Sequence, residues 1–418
     1  MIIKPALKEH VRDRLEIFQS RPYRLYFIAM FISIIGTGMQ FIANGWLALE
    51  MTNSNYSVAL ILVADTLPGI ILQPFIGFVV DRIDRKVLLT LMDLFRMVVV
   101  MSVPFLWWLG WLHPVHLYIM AFVIAIGDKI FTPASIGLIR EIISEDRLLN
   151  VNATTSIATQ VGSLLGAAVG GILITAFSPI IVMVLNSFTF LVSAILIWNI
   201  RKEYYPPQQS DLHGNIWQKF TGDIRLGMDY IGEHSYIVPP YIVMLLFIAT
   251  FRTLSMLVAP FSRTVLEAGA EGFGYLDAAF AGGAIVGNFI LPSMTGLYKN
   301  KQYVGVYGMF ALAISIVLFA ISPNLWVAII AYFFIGVSFQ VRVFYMTFIQ
   351  SITDVDFQGR VYAAFGIPIG ITSVVVLLVM GYVSEIFSMR WLYLIQAIVV
   401  VFMAIYANVK MLDTRYDL

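Results

Sequence analysis

The chain has 418 residues, of which 60% are hydrophobic and only 12% charged, with a formal net charge of +1. A water-soluble protein of this size needs roughly a quarter of its residues charged, so the composition excludes a set of soluble domains. The balanced charge gives no signal for nucleic acid, and the absence of Cys excludes disulfides, thiolate metal sites and thiol catalysis.

The first 24 residues carry Lys4, Lys8, Arg12, Arg14, Arg21 and Arg24. The apolar run that follows is long enough to cross a bilayer, so it is expected to stay as a membrane helix and not to be a cleaved signal. A hydrocarbon core of roughly 30 Å needs about 20 apolar residues in a helix. Twelve stretches meet this: 23–49, 55–80, 87–109, 115–139, 150–176, 179–200, 238–262, 272–297, 302–321, 324–348, 359–385 and 389–409. The short loops between them predict antiparallel neighbours and an all-α membrane bundle. If the N-terminus is cytoplasmic, 20 of the 26 Lys and Arg fall on the cytoplasmic side, and only Arg263 and Arg390 fall outside. Both termini are then cytoplasmic. The chain is expected to be a multi-pass protein of a bacterial inner membrane, with the lipid bilayer as its partner.

Span one carries Gln40 and Asn44, and span two carries Asp65 in its outer half. Span two ends in Gly77-Phe78-Val79-Val80-Asp81-Arg82-Ile83-Asp84-Arg85-Lys86. Gly77 permits close helix packing. Asp81 sits near the membrane surface, where it can pair with a base or accept from a helix N-terminus. Arg82, Arg85 and Lys86 suit the anionic inner leaflet. A basic turn set only by the positive-inside bias is the plainer reading. The segment resembles the loop signature of the major facilitator superfamily, Gly-x-x-x-Asp-Arg-x-Gly-Arg-Arg, with Asp84 in place of the second Gly. That departure, the Phe131-x-Pro133-Ala134 and Ser144–Leu148 segments, and Gly359-Arg360-Val361-Tyr362 resemble the branch of macrolide efflux proteins and enterobactin exporters. The resemblance implies twelve helices in two pseudo-symmetric six-helix halves and transport by alternating access. It also implies a loop that latches one state, a role that would fall here to Asp81 and Arg85.

In span three, Asp93 and Arg96 are spaced i, i+3 and are expected to pair, in support of the loop. Span four places Asp128 and Lys129 near mid-membrane. A charge there is costly, at least ~2.5 kcal/mol, so it faces the bundle interior. Asp128 is either a proton carrier or half of an ion pair with a neighbouring helix, and Lys129 is a candidate anion ligand. Span five carries Gly162, Gly166, Gly170 and Gly171 along one stripe, a helix-packing pattern. It resembles the span-five motif of drug/proton antiporters, with Ala167 replacing the Pro.

The long loop 201–237 contains Pro206-Pro207 and then Ile216, Phe220, Ile224 and Met228 at a spacing of four. It is expected to form an amphipathic helix on the inner face. The domain division is therefore 1–200, the linker 201–237, and 238–418. Gly127, Ile143 and Glu145 match Gly336, Ile352 and Asp354 at an offset of half the chain, which supports duplication. In the second half, Arg252 lies in span seven and Gln340 and Arg342 lie in span ten. A structural role for the two arginines remains open at this point. Asp277, near the outer end of span eight, is expected to be solvated, and Trp107, Trp108 and Trp111 are expected in an outer interfacial belt.

Spans one, four, seven and ten line the central cavity in the superfamily. Lys129, Arg252, Arg342, Gln340, Asn44 and Gln40 would then bind an anionic solute, with Asp128 and Asp65 coupling it to protons. No nucleotide-binding motif, paired catalytic carboxylates or His ligand pair is present, so neither an enzyme nor a cofactor is expected. The leading reading is a monomeric, proton-coupled exporter of a siderophore or amphiphilic drug. Import of a ferric siderophore or organic anion is an alternative on the same fold, and a non-transporting receptor is one of another class.

Overall fold

Inside a bilayer every backbone N–H and C=O must be satisfied by the chain itself, which the long apolar runs achieve as helices. The computed structural model describes residues 17–144, 147–201, 216–295 and 302–411. Glu145, Asp146, Pro206 and Pro207 lie outside the described residues, as do the side chains of Asp81 and Ile216 and the packing around Gly77.

The helices in chain order are α1 (Arg21–Thr52), α2 (Asn55–Ile71), α3 (Gln73–Arg82), α4 (Arg85–Trp108), α5 (Pro114–Ile142), α6 (Leu148–Ala176), α7 (Pro179–Trp198), α8 (Ile216–Glu233), α9 (Val238–Thr264), α10 (Gly269–Thr295), α11 (Gln302–Ala320), α12 (Leu325–Phe339), α13 (Val341–Ile352), α14 (Gln358–Ile386) and α15 (Met389–Met411). Among the described residues, eleven membrane spans are long and apolar enough by themselves, with α12 and α13 forming one of them; α2, continued by α3, makes the twelfth crossing.

Spans two and ten are not the continuous helices expected. Span two breaks at Leu72, whose N–H bonds to the Pro68 carbonyl at 2.9 Å before α3 restarts. Pro74, at the first turn of α3, has no N–H to continue the ladder of α2. Span ten breaks at Gln340, which opens α13 immediately before Arg342.

Polar residues in the loops start the helices. Asp84 Oδ1 accepts from the Val87 N–H at 3.1 Å, so the residue that departs from the superfamily pattern is the N-cap of α4. Ser178 and Asn324 cap α7 and α12 in the same way. The left-handed Asn53, φ 50°, closes α1.

Large apolar side chains cover the outside of the bundle, among them Val98, Ile314 and Phe402, each more than 60% exposed. A soluble protein would rarely present such a continuous apolar surface, whereas a lipid-facing one must. Trp107, Trp108 and Trp111 are exposed at one end, joined there by Trp326 and Trp391. Lys86 lies over the Trp198 ring at 5.1 Å at the opposite, basic end.

The helix α8 packs its Gly227 and Tyr230 face on the start of α14. A Cβ at Gly227 would meet the Arg360 carbonyl, so only Gly permits this approach. Tyr230 donates to Asp354 at 3.0 Å and stacks on Phe357 at 4.5 Å, while Asp223 pairs with Arg360 at 3.5 Å. Burial beside Asp354 pushes the Tyr230 phenol above its usual pKa, so it stays a donor at physiological pH. Met228, on the expected apolar stripe, is exposed. The contacting face follows Gly227 and Tyr230, one helical step from the i+4 series.

Candidate functional site: a charged cavity between the halves

The two sets of helices meet most closely through small residues. A Cβ at Gly171 of α6 would lie 3.0 Å from the Gly274 Cα of α10, and one at Gly381 of α14 would lie 2.6 Å from the Ala59 Cβ of α2. Within the first half, Gly162 packs on Ile34 and Phe31, Gly166 on Ile35 and Gly38, and Gly170 on Met39, all of α1. The glycine stripe therefore faces two partners: its first three members face α1, and Gly171 faces the other half.

The end opposite the basic loops is closed by polar bonds between the halves. Arg263 of α9 donates to the Leu49 carbonyl and to Asn53 Oδ1, each at 2.7 Å. Glu385 of α14 accepts from Ser54 Oγ at 2.6 Å and from the Tyr56 N–H at 3.0 Å, and Asn55 donates to the Ser384 carbonyl at 3.1 Å. Within the second half, Arg390 donates to the carbonyls of Ala320 and Ser322 at the end of α11, at 2.6 and 2.9 Å. Both arginines that break the charge bias are thus bound to carbonyls at helix C-termini, where a cation is favoured.

Beneath this closure lies a central chamber of about 530 Å³, lined by residues of both halves. A second chamber of about 740 Å³ adjoins it and shares Phe251, Arg252 and Arg342; its walls reach Gln350, Thr353 and Gln358 at the basic end. Such volumes suit a drug-sized solute. Gln40, Asn44, Asp65, Asp128, Arg252, Gln340 and Arg342 line the central chamber, and Lys129 lines the second. The predicted binding and coupling residues are therefore brought to one place.

Their bonding differs. Gln40 accepts from Asn186 and donates to the Met120 sulfur at 3.5 Å, which fixes its amide. Asn44 is buried, and its Oδ1 has no hydrogen-bond partner among the described residues. Asp128 accepts from Arg96 at 2.8 Å, and Arg96 also pairs with the fully buried Asp93. Ser193 of α7 donates to Asp93 at 2.6 Å, and Arg96 lies 4.1 and 4.6 Å from the Phe131 and Phe190 rings. Asp93 and Arg96 do pair, but they tie α4 to α5 and α7 within the bundle instead of bracing the loop. Asp128 is the cavity-facing end of this trio, its side chain 37% exposed.

Asp65 lies within electrostatic reach of both Lys129 and Arg252. The Lys129 stem passes Gly69, where a Cβ would sit 3.0 Å from it, so Gly69 gives it room to turn into the cavity. Arg342 makes no ion pair among the described residues; its Nε is buried without a partner, and Phe339 lies 5.9 Å from the guanidinium. In the loop motif, Arg85 pairs with Glu141 of α5 at 2.5 Å, and Arg82 is exposed.

Asp277, near the outer end of its span as expected, lines the central chamber. Depth along a helix does not reveal which side faces the cavity. Its spacing of four from Phe273, which also lines the chamber, was the available clue. Glu385, a lone acid at a helix end, carries no motif in the sequence.

The same fold occurs in the crystal structure of the nucleoside transporter NupG, with a TM-score of 0.73 at 13% identity, covering 94% of this chain and all of that one. A protein of Bacillus amyloliquefaciens named "Putative bacilysin exporter BacE" is 26% identical over 303 residues, 72% of this chain and 74% of that one. Macrolide efflux protein A of Streptococcus pyogenes is 19% identical over 350 residues, 81% of this chain and 85% of that one. The family model described as transmembrane secretion effector matches residues 15–415. With twelve crossings, two packed halves and a charged chamber between them, the chain belongs to that family, and is a transporter of the major facilitator superfamily and not an enzyme.

Proposed function

We propose that the protein exports a small anionic or amphiphilic solute, such as a siderophore or drug, from the bacterial cytoplasm, driven by protons moving inward. The observation that carries this reading is Arg342. It is a guanidinium in an open chamber with a buried, unbonded Nε and no carboxylate partner among the described residues. A cation at membrane depth is costly unless paired, and a solute carboxylate is the missing partner. Lys129 and Arg252 extend positive charge along the path toward the basic end.

The basic end is taken as cytoplasmic, with both termini there and the chambers opening inward. The units 1–200 and 238–418 would rock as two bodies, with α8 moving with the second half through Tyr230, Asp354 and Arg360. In the trio Asp93–Arg96–Asp128, two carboxylates share one guanidinium. A proton on Asp128 would remove the surplus charge and free Arg96 from one partner. One chain encloses the whole cavity, so a monomer suffices. The export direction leans on relatives named for efflux.

The test is accumulation of siderophores and anionic drugs in inside-out vesicles, with and without an acid interior. Export predicts uptake that needs the acid interior and disappears in Arg342→Gln. Uptake driven equally in right-side-out vesicles by an acid exterior would instead mean import.

A further inference from the structure

The charged groups of the central chamber do not all find partners. Asp128 is held by Arg96, and Asp65 lies in reach of Lys129 and Arg252. Asp277 forms no ion pair and accepts no hydrogen bond among the described residues, and Arg342 forms no ion pair. These are charges of opposite sign, on spans eight and ten, facing one chamber without meeting each other.

A third group completes the pattern. Asn44 Oδ1 is buried and unbonded on span one. A Cβ on its neighbour Gly45 would sit 3.5 Å from the Phe273 ring, and Asp277 follows Phe273 by one helical turn. Asn44 and Asp277 therefore face the chamber from adjoining walls at its outer end. Asp277 offers only acceptor oxygens, which suit an ammonium group with its three donors, and the Asn44 amide adds one acceptor oxygen beside its two N–H donors. Between them and Arg342 stand aromatic rings: Phe280 lies 5.9 Å from Phe251 and 5.8 Å from Phe339, and Phe339 is 5.9 Å from the Arg342 guanidinium. The chamber thus has acceptors at one end, apolar faces in the middle and a guanidinium at the other end.

We propose that the solute is a zwitterion with an apolar body, its ammonium held by Asp277 and Asn44 and its carboxylate by Arg342. Small peptides and amino-acid-derived amphiphiles have this chemistry. The proposal rests on the reading of Arg342 as an anion ligand and adds the second pole.

Binding to the purified full-length protein would be measured with three probes: leucyl-phenylalanine, its N-acetyl derivative and its C-terminal amide. The wild type is expected to bind the free dipeptide at least roughly tenfold more tightly than either blocked form. Asp277→Asn should abolish the preference over the N-acetyl form and keep the preference over the amide. Arg342→Gln should do the reverse. This crossed pattern cannot come from misfolding, since each variant serves as its own control. Equal binding of the free and N-acetyl forms, with the amide excluded, would overturn the zwitterion and leave the anion site standing. Equal binding of the amide would sink the anion site as well. Failure of all three probes to bind, or an Asp277→Asn variant that keeps its amine preference, would also overturn the proposal.

Discussion

Arg96 and its two carboxylates show how much one side chain carries. Breaking a buried pair on one side leaves a bare charge, at a cost of about 3–5 kcal/mol. Asp93→Ala should therefore lower thermal stability sharply in detergent, because Asp93 is fully buried and joins α4 to α7 through Ser193. Asp128→Asn should unfold little, since its amide oxygen still accepts from Arg96. It should instead abolish proton-driven accumulation while leaving solute exchange without a gradient intact, which a counterflow assay would read. Asp84 gives a smaller effect. Losing its cap costs about 1 kcal/mol as Ala and only a few tenths as Gly. Asp84→Gly should then melt later than Asp84→Ala. The pairing of Asp93 with Arg96 was legible from an i, i+3 spacing. The third member was not, because the packing of span three on span four is set by the whole bundle. That Asp277 faces the chamber was not legible for the same reason.

At the level of elements, the glycine stripe was visible in the sequence, but its division between partners was not. Gly162, Gly166 and Gly170 serve packing on α1, whereas Gly171 meets Gly274 across the two halves. Overpacking such a contact costs about 1–3 kcal/mol. Gly171→Val should therefore impair both melting temperature and transport. Gly222, on α8, offers the contrast, since nothing lies within 4 Å of a Cβ placed there. Gly222→Ala should raise stability by about 0.4–1 kcal/mol through the unfolded state, with transport unchanged. The breaks at Leu72 and Gln340 do not show in a hydropathy reading because the flanking apolar residues outweigh Gln73, Gln340 and Arg342 over the length of a span. Pro74 marked the first, and no residue type marked the second. The linker helix was foreseen from its period, but the face it buries follows a small residue, Gly227, that a hydrophobic pattern does not weigh.

Across the whole molecule, the twelve crossings were legible because lipid imposes length and apolarity on every span, and the basic loops because charge bias follows them. The closed end was not legible. It is held by backbone carbonyls and by Glu385, Ser54 and Asn55, none of which forms a motif. This arrangement makes the conformation one in which the chambers open toward the basic end. Removing the closure should shift the population toward the opposite opening, since a two-state equilibrium follows differences of a few kcal/mol. The chain has no Cys, so Ala281→Cys in the central chamber would supply its single thiol. The decisive measurement is labelling of that thiol by a membrane-impermeant maleimide applied to either face of the membrane. Alternating access around this chamber predicts labelling from the basic face alone, and new labelling from the opposite face once Arg263→Gln and Glu385→Gln are added. A thiol reached from neither face, or one whose labelling ignores the two substitutions, would contradict it.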